Sequence, residues 1–250
     1  MLKIDLNCDV GEGFSSDELI MPLISSANIA CGLHAGDKSI MKKTAELALK
    51  YKVSIGAHPS YPDRENFGRV DMLNTEIYTD EIPELILEQL IALERICIDI
   101  GTQLHHVKLH GALYNRAAKD FDLSLVICRA LFEYNPNLIL YGLSGSQMKK
   151  AADVCNLKFA HETFSDRTYQ DDGSLTPRTN SKALIDDPAV AVNQAIQMIT
   201  SGEVVSLSGK KIHLKADTIC VHGDSGFANV LAVQLTRALK ENNILVETFN

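Results

Sequence analysis

Short apolar runs that end in titratable residues are the feature of this sequence that most constrains its fold. Residues 27–31 lead to His34 and Asp37, and residues 106–109 lead directly to His110. Five of the eight histidines lie at or just after the end of such a run, namely His34, His58, His110, His161 and His222. Because the carboxyl ends of parallel strands meet at one end of an α/β barrel, this arrangement predicts one site built from many segments.

Predicted strands and helices alternate along the whole chain. Strand-like apolar runs lie near residues 2–7, 27–31, 53–57, 104–109, 138–142, 157–161, 218–222 and 244–249. Helical patterns lie between them, near residues 17–24, 39–52, 79–100, 119–134, 146–154, 188–201 and 226–241. Since neither a repeat nor a linker interrupts this alternation, residues 1–250 are predicted to form one α/β domain in which helices cover a parallel sheet.

Charge and composition exclude several classes of protein. A net charge of −8 argues against nucleic-acid binding, which calls for clustered lysine and arginine. No apolar run approaches the roughly 20 residues of a membrane-spanning helix, and the first residues lack the basic-then-apolar pattern of a signal peptide. The six cysteines are scattered without a C-x-x-C pair, which is typical of reduced thiols. We therefore expect a cytoplasmic enzyme with a small-molecule substrate.

Alternation within the strands predicts one polar face. In the first strand one side carries Asp5, Asn7 and Asp9, and the other carries Ile4, Leu6 and Cys8. Two further strands repeat the pattern with His106, Lys108 and His110, and with Cys220, His222 and Asp224. Because a polar group inside a barrel is costly unless it is paired or hydrated, we predict that this face lines a hydrated functional pocket.

A metal site within this face would need ligands from different strands. One aspartate with two histidines is a common zinc or iron set. His106 and His110 lie four residues apart on a predicted strand, which separates them by roughly 13 Å along it. Because this local pair cannot hold one ion, we expect no tightly bound transition metal.

Two long polar segments interrupt the alternation, at residues 59–78 and 162–187. The first contains Arg64 and Arg69, and the second contains Arg167 and Arg178. Long segments of this kind inside a compact domain are usually functional or disordered. We predict ordered loops whose arginines hold anionic groups of a substrate, with solvated surface loops as the alternative.

Six segments together resemble those of a known family. They are residues 5–14 (DLNCDVGEGF), 27–37 (ANIACGLHAGD), 56–69 (GAHPSYPDRENFGR), 106–115 (HVKLHGALYN), 162–178 (ETFSDRTYQDDGSLTPR) and 217–224 (DTICVHGD). In this order, and across essentially the whole chain, they resemble the LamB/YcsF family, the A subunits of bacterial 5-oxoprolinases. Four positions depart from the family's usual residues without removing a titratable group: Ser15, Leu33, Asn66 and Leu109.

The resemblance implies a fold, an activity and partners. The implied fold is a single-domain seven-stranded β/α barrel related to the glycoside hydrolase and polysaccharide deacetylase barrel. The implied activity is ATP-dependent opening of the lactam 5-oxo-L-proline to L-glutamate, with Mg²⁺ accompanying ATP and with subunits B and C as partners. A P-loop and a complete G-x-G-x-x-G pattern are absent from the sequence. It is therefore left open whether ATP binds this chain or a partner.

The polar face suits the chemistry that the resemblance implies. Opening a phosphorylated lactam needs a base for water and cations that stabilise the developing charge. The hypothesis assigns catalysis to Asp9, Lys108, His110 and His222, with Asp9 or His110 as the general base and Lys108 as the polarising cation. The residues assigned to substrate binding are Asp5, Asn7, His34, His58, Arg69, Glu162, Arg167, Arg178 and Asp224.

Two other functions fit the same residues. A metal-dependent deacetylase or amidohydrolase acting on a small amide or carbohydrate would also use a wall of aspartate and histidine. A non-catalytic scaffold or carbohydrate-handling accessory would not need titratable groups at the ends of so many strands, and it is therefore the least favoured of the three.

Overall fold

Seven parallel strands close into a barrel in the computed structural model, which describes residues 1–73, 75–221 and 228–250. The strands in these ranges are β1 (Leu2–Val10), β2 (Ser26–Ala30), β3 (Ser54–His58), β4 (His106–Lys108), β5 (Ile139–Leu143), β6 (Lys158–Phe164), β7 (Glu203–Val205), β8 (Lys211–His213), β9 (Thr218–Val221) and β10 (Ile244–Val246). The barrel runs β1-β2-β3-β4-β5-β6-β9 and closes because β9 pairs in parallel with both β6 and β1. The predicted seven-stranded β/α barrel is confirmed.

Helices connect successive strands and pack around the barrel. They are α1 (Asp17–Ile20), α2 (Lys38–Tyr51), α3 (Ile82–Asp99), α4 (Gly111–Ala117), α5 (Phe121–Tyr134), α6 (Gln147–Cys155), α7 (Pro188–Ser201) and α8 (Ala228–Glu241). The helix expected over residues 17–24 changes to a 3-10 turn at Met21–Leu23, which contains a proline. None of the helices in the described ranges combines the length and the apolarity that a membrane span requires.

Helix α4 differs from the sequence-based expectation, which places no helix between residues 109 and 119. Its first residue, Gly111, has a φ of +57°, and its N-cap His110 makes no side-chain capping bond. Both features weaken a helix start. The start is held instead by a tertiary contact, because the Ala112 amide donates to the Gly68 carbonyl at 2.9 Å. An added Cβ at Gly111 would lie 2.3 Å from that carbonyl oxygen, so the close approach requires glycine.

The outward faces of the strands and the inward faces of the helices form the apolar core. On β1, Ile4 and Leu6 are each 2% exposed. Helix α8 buries Leu231, Leu235 and Leu239, which recur every four residues and therefore share one face. Full burial of such a side chain contributes about 1.5–3 kcal/mol. The helices thus hold the strands from outside and leave the barrel interior to polar side chains.

The amino-terminal part of the barrel interior is filled by hydrogen-bonded polar groups. Asp5 on β1 is 1% exposed and accepts hydrogen bonds from Ser25, Ser26 and Thr218 at 2.6–2.7 Å. Burial raises the pKa of the Asp5 carboxyl, and these hydroxyl donors oppose the shift. The prediction that the whole inner face lines a hydrated pocket is wrong for the layer around Asp5. There the buried polar groups form hydrogen bonds with one another instead of with water.

His106 lies in the same buried layer and connects it to the layer above. Its Nε2 donates to Asn28 Oδ1 at 2.8 Å, and its ring stacks on Tyr141 with centroids 4.1 Å apart. Asn28 in turn donates to Asn7 Oδ1 and Asp9 Oδ1, each at 2.8 Å. A chain of hydrogen bonds therefore runs from the closed end of the barrel toward its carboxyl end.

The close contact between Gly56 and His106 generates a stability prediction. A Cβ added at Gly56 would lie 2.1 Å from His106 Nε2, so the ring must move and lose its bond to Asn28. Overpacking together with the lost hydrogen bond should lower the free energy of unfolding of Gly56→Ala by at least about 2 kcal/mol. In a His106→Ala background the same substitution should cost far less, because the ring is gone. Equal costs in both backgrounds, measured by urea denaturation, would contradict the account.

Burial of His106 generates a pH prediction. Burial lowers the pKa of His106 well below 6.5, so the folded protein holds this ring neutral while the unfolded chain takes up a proton. Stabilisation from the neutral ring is therefore present above about pH 6.5 and is lost as pH falls, by up to about 1.4 kcal/mol per pH unit. The unfolding free energy of the wild type, relative to His106→Gln, should fall along this slope between pH 7 and pH 5.

A matched control for this slope is His213→Gln, since the His213 side chain is 81% exposed. This control shows what the loss of an exposed histidine does to the same curve. Parallel curves for the wild type and His106→Gln would show that His106 is not held neutral.

Candidate active site

A cavity of about 840 Å³ opens at the carboxyl end of the barrel. Residues at the ends of β1, β3 and β4 line it, namely Asp9, Glu12, His58, Lys108 and His110. The two long segments contribute further lining residues: Phe67, Arg69, Arg167 and Arg178. This is the end at which barrel enzymes place their sites, and the convergence predicted from the apolar runs is observed there for His58 and His110. His161 does not take part in it, since it lies on β6 beside Asp217 and is not among the residues that line the cavity.

Lys108 occupies the centre of the cavity floor. Its Nζ lies 2.8 Å from Asp9 Oδ1 and 2.9 Å from Glu162 Oε1, and the residue is 2% exposed. Burial by itself lowers the pKa of Lys108, but the attraction of Asp9, Cys220 and Glu162 outweighs it and holds the pKa well above its ordinary value. The side chain is therefore a permanent ammonium that pairs with two carboxylates.

Glu162 is enclosed behind this ammonium. It is fully buried, and its Oε2 accepts a hydrogen bond from Tyr114 at 2.7 Å. Burial and the neighbouring carboxylate raise the pKa of Tyr114 well above its ordinary value, so the phenol stays protonated and donates. Glu162 thus forms an ion pair with Lys108 through Oε1 and a hydrogen bond with Tyr114 through Oε2. Although the sequence-based hypothesis assigns it to substrate binding, it is not among the residues that line the cavity.

Asp9 is the carboxylate of this group that faces the cavity. Its side chain is 11% exposed, whereas that of Glu162 is fully buried. Lys108 and Asn28 both donate to Oδ1, each at 2.8 Å, and Oδ2 lies 3.4 Å from His58 Nε2. The carboxylate is thus fixed in orientation beside the open space.

Three histidines from different segments meet next to Asp9. His34, His58 and His110 direct one ring nitrogen each toward Glu12 Oε1, at 3.3, 3.9 and 3.5 Å. Burial lowers the pKa of His110 to about 3, and it lowers that of His34 further, so both rings are neutral in the folded protein. The rings of His34 and His110 stack with centroids 3.8 Å apart.

Buried contacts hold the described residues of both long segments, and the role of these segments in holding a substrate stays a prediction. Tyr61 in the first and Tyr169 in the second are fully buried. Arg167 is 5% exposed and donates to the Thr176 and Ala183 carbonyls at 2.6 and 3.3 Å, so part of its guanidinium holds its own loop. Arg69 lies over the Phe67 ring at 4.9 Å. All three arginines assigned to substrate binding line the cavity.

Four further residues are predicted to belong to the site: Asp5, Asn7, His222 and Asp224. Asp5 and Asn7 lie below the cavity floor, where Asn7 accepts from Asn28 and Lys108 and donates to Thr218 at 2.7 Å. They support the residues above them and are not among the residues that line the cavity. The predicted His222 and Asp224 fall outside the described residues.

Three contacting residues are absent from the site assigned on the sequence, although Glu12 is among the titratable residues that follow the first apolar run. Glu12 follows β1 within Gly11-Glu12-Gly13, where the glycines suggest only an incomplete nucleotide motif. Tyr114 lies one turn along the unexpected helix α4. Asn28 is a polar residue between the apolar neighbours Ala27 and Ile29, and this alternation is the signal that could have identified it.

Two solved structures share the fold of this chain. The structure superimposes on the crystal structure of the lactam utilization protein from Thermus thermophilus with a TM-score of 0.92, at 35% identity over 99% of this chain and 100% of that one. A family 4 carbohydrate esterase from Streptomyces lividans gives a TM-score of 0.51 at 9% identity, over 99% of this chain and 93% of the esterase. The latter similarity concerns the fold alone.

Comparison of sequences gives the family. The proteins named as the A subunits of 5-oxoprolinase in Bacillus licheniformis and Clostridium beijerinckii are each 46% identical to this chain. The alignments cover 100% of both chains in the first case, and 98% of this chain and 96% of the relative in the second. The family model described as LamB/YcsF family matches residues 4–250. This chain therefore belongs to the LamB/YcsF family.

Proposed function

We propose that this chain is the A subunit of a cytoplasmic, ATP-dependent 5-oxoprolinase, which opens the lactam of 5-oxo-L-proline to L-glutamate together with subunits B and C. The names of its close relatives support this function. The single structural observation that carries it is the cavity-facing Asp9, whose carboxylate is held by the buried Lys108 ammonium. In the overall reaction, lactam, ATP and two waters give glutamate, ADP and phosphate, with Mg²⁺ accompanying ATP.

The chemistry of a lactam explains why such a pair is useful. Resonance makes the amide carbon a poor electrophile, and phosphorylation of the amide oxygen by ATP would activate that carbon. Water then adds to it, the C–N bond breaks, and the ring nitrogen takes up a proton. The acyl phosphate that remains is hydrolysed by the second water to the carboxylate of glutamate and free phosphate. A fixed cation next to the oxygen lowers the barrier because negative charge develops there. Lys108 is the buried cation on the cavity floor that fits this role.

Asp9 is the better candidate for the general base. A base must reach the water and accept a proton at neutral pH. Asp9 faces the cavity, and its orientation is fixed by Lys108 and Asn28. His110 is the weaker candidate, because its Nε2 donates to the Phe67 carbonyl and its Nδ1 is directed toward His58 Nε2 at 2.9 Å and Glu12 Oε1 at 3.5 Å.

The loop arginines fit the anionic groups of the substrates. Besides burial, the nearby Arg178 lowers the pKa of the Arg167 guanidinium, which indicates two cations close together on one wall. An anion between them would relieve this repulsion, and arginine binds carboxylates and phosphates in bidentate fashion. The cavity is larger than a five-membered lactam requires, which leaves room for phosphate groups as well.

A metal-dependent deacetylase or amidohydrolase is the second candidate function. The group of Glu12, His34, His58 and His110 beside the cavity favours it, because such side chains bind catalytic metals.

The two functions differ in their need for ATP. The assay compares glutamate release from 5-oxo-L-proline by the chain alone and with subunits B and C, with and without ATP. Release that needs ATP and the partners supports the proposal, and ATP-independent hydrolysis supports the second candidate.

Neutralising Asp9 tests the proposed base. In the reconstituted complex, Asp9→Asn should lower ATP-dependent glutamate release by at least about 100-fold, because the amide cannot accept the proton. Assembly with the partners should persist. The control is Asp99→Asn, an exposed aspartate at the end of α3, which should retain full activity. An active Asp9→Asn complex would remove this residue from the mechanism and would also be expected of a non-catalytic scaffold.

Replacing Arg178 tests the substrate clamp. If Arg178 holds the substrate carboxylate equally in the ground and transition states, Arg178→Gln should raise the KM for 5-oxo-L-proline about 10–100-fold with little change in kcat. The exposed Arg129→Gln on α5 is the matched control and should leave both constants unchanged. An unchanged KM in Arg178→Gln would show that this residue does not hold the substrate.

A further inference from the structure

Three imidazole rings and one carboxylate converge at the side of the cavity floor. The donor atoms of Glu12, His34, His58 and His110 all lie within 4.8 Å of one another. From the directions of their hydrogen bonds, we propose that these four side chains bind one divalent transition-metal ion of the Zn²⁺ class. The inference does not depend on the proposed reaction, because it concerns binding of the metal by the chain itself.

The hydrogen bonds on the far side of each ring fix its tautomer. His58 Nδ1 lies 2.7 Å from the Lys108 carbonyl, and His110 Nε2 lies 2.9 Å from the Phe67 carbonyl. Because a carbonyl oxygen can only accept, each of these nitrogens carries the hydrogen. In a neutral ring the other nitrogen, His58 Nε2 or His110 Nδ1, then carries the lone pair.

The tautomer of His34 is also fixed by a hydrogen bond on the far side of its ring. Its Nδ1 lies 2.9 Å from Ser60 Oγ, and the Ser60 hydroxyl donates its own hydrogen to the Tyr61 carbonyl. Ser60 Oγ must therefore accept from His34 Nδ1, which leaves the lone pair of the neutral ring on Nε2. That nitrogen faces Glu12 Oε1 at 3.3 Å.

Three nitrogen lone pairs and a carboxylate oxygen thus lie within one small region. His58 Nε2 and His110 Nδ1 lie 2.9 Å apart, although neither carries a hydrogen in these tautomers. Such an arrangement needs a positive charge between the atoms, which is either a proton shared by the pair or a metal ion. A shared proton would serve one pair only, whereas a metal ion serves all four donors.

The spacing of the donors suits a tetrahedral ion. Metal–ligand distances of about 2.0–2.1 Å place tetrahedral ligands roughly 3.3 Å apart. Glu12 Oε1 lies 3.3, 3.9 and 3.5 Å from the three imidazole nitrogens. Because an ion lies in the plane of each imidazole that binds it, the stacked rings of His34 and His110 must tilt apart for all four donors to reach bonding distance.

The groups behind the rings are those that metal sites use. Ligating histidines usually donate their other N–H to a carbonyl or another acceptor, which fixes the ring and increases its basicity. The Lys108 carbonyl, the Phe67 carbonyl and Ser60 Oγ provide this for the three rings. Gly68 allows the close packing, because a Cβ there would lie 2.8 Å from His110 Cδ2.

The ligand types select the metal. Imidazole nitrogen suits Zn²⁺, Fe²⁺ or Co²⁺, whereas Mg²⁺ prefers oxygen ligands and retains water. The expectation of no tightly bound transition metal depended on His106 and His110 as a local pair. The proposed site instead takes its three histidines from after β2, from the end of β3 and from after β4.

Metal binding by the purified, untagged full chain tests the proposal. After treatment with a chelator and dialysis, the protein is titrated with Zn²⁺ by calorimetry and with Co²⁺ by visible absorption. The expected result is one equivalent of each, a tetrahedral Co²⁺ spectrum, and no displacement by millimolar Mg²⁺. His58→Gln and His110→Gln should each weaken Zn²⁺ binding by at least about 100-fold, and the exposed His213→Gln should leave it unchanged.

A milder variant keeps the test decisive if a ligand variant fails to fold. Ser60→Ala removes only the acceptor behind His34 and should weaken Zn²⁺ binding about 10–100-fold while the near-ultraviolet circular dichroism stays that of the wild type. The proposal is overturned if the wild type binds no stoichiometric Zn²⁺ or Co²⁺. It is equally overturned if folded His58→Gln, His110→Gln and Ser60→Ala all bind Zn²⁺ as tightly as the wild type.

Discussion

The buried ammonium of Lys108 is the interaction on which the architecture of the site depends. It lies within 2.9 Å of carboxylate oxygens of Asp9 and Glu162. The three residues come from β1, β4 and β6, so the group assembles only when the barrel has closed in the correct register. Removing one member of such a buried group leaves an uncompensated charge, which typically costs about 3–5 kcal/mol. The same interaction therefore stabilises the fold and fixes the position of a cation in the cavity.

The polar interior below this ammonium keeps it rigid. Asn28 joins Asp9 to His106, and His106 is wedged between Tyr141 and Gly56. Hydrogen bonds of this kind fix dipoles before a substrate arrives, so little reorganisation is needed during the reaction. A barrel filled with apolar side chains would avoid the cost of burying polar groups, but it would provide no hydrogen bonds to hold Asp9 and Lys108. The unusual interior is therefore part of the site.

Much of the fold and part of the site could be predicted from the sequence. The alternation of strands and helices predicts the barrel, and the two-residue period of the strands places Asp9 and Lys108 on the inner face. That period does not show how far along the barrel axis a residue lies. It therefore places the buried Asp5 on the same face as the cavity-facing Asp9, without separating the two. Depth depends on strand stagger, which is a tertiary property.

Other parts of the site arise only from tertiary contacts. Helix α4, which carries Tyr114, starts at a glycine, and its first turn is held by a hydrogen bond from the Ala112 amide to the loop residue Gly68. The sequence contains no capping signal for this helix. The hydrogen bonds that orient His58 and His110 come from backbone carbonyls, whose positions no side-chain pattern reveals. The convergence of three histidines on Glu12 could therefore be recognised only from the structure.

A structure with bound 5-oxo-L-proline would show whether the lactam is opened between Lys108 and Asp9. We expect the lactam carbonyl oxygen within hydrogen-bond distance of Lys108 Nζ and the carbonyl carbon facing Asp9. We also expect the substrate carboxylate at the loop arginines. A lactam bound outside the cavity, or with its carbonyl turned away from Lys108 and Asp9, would contradict this proposal.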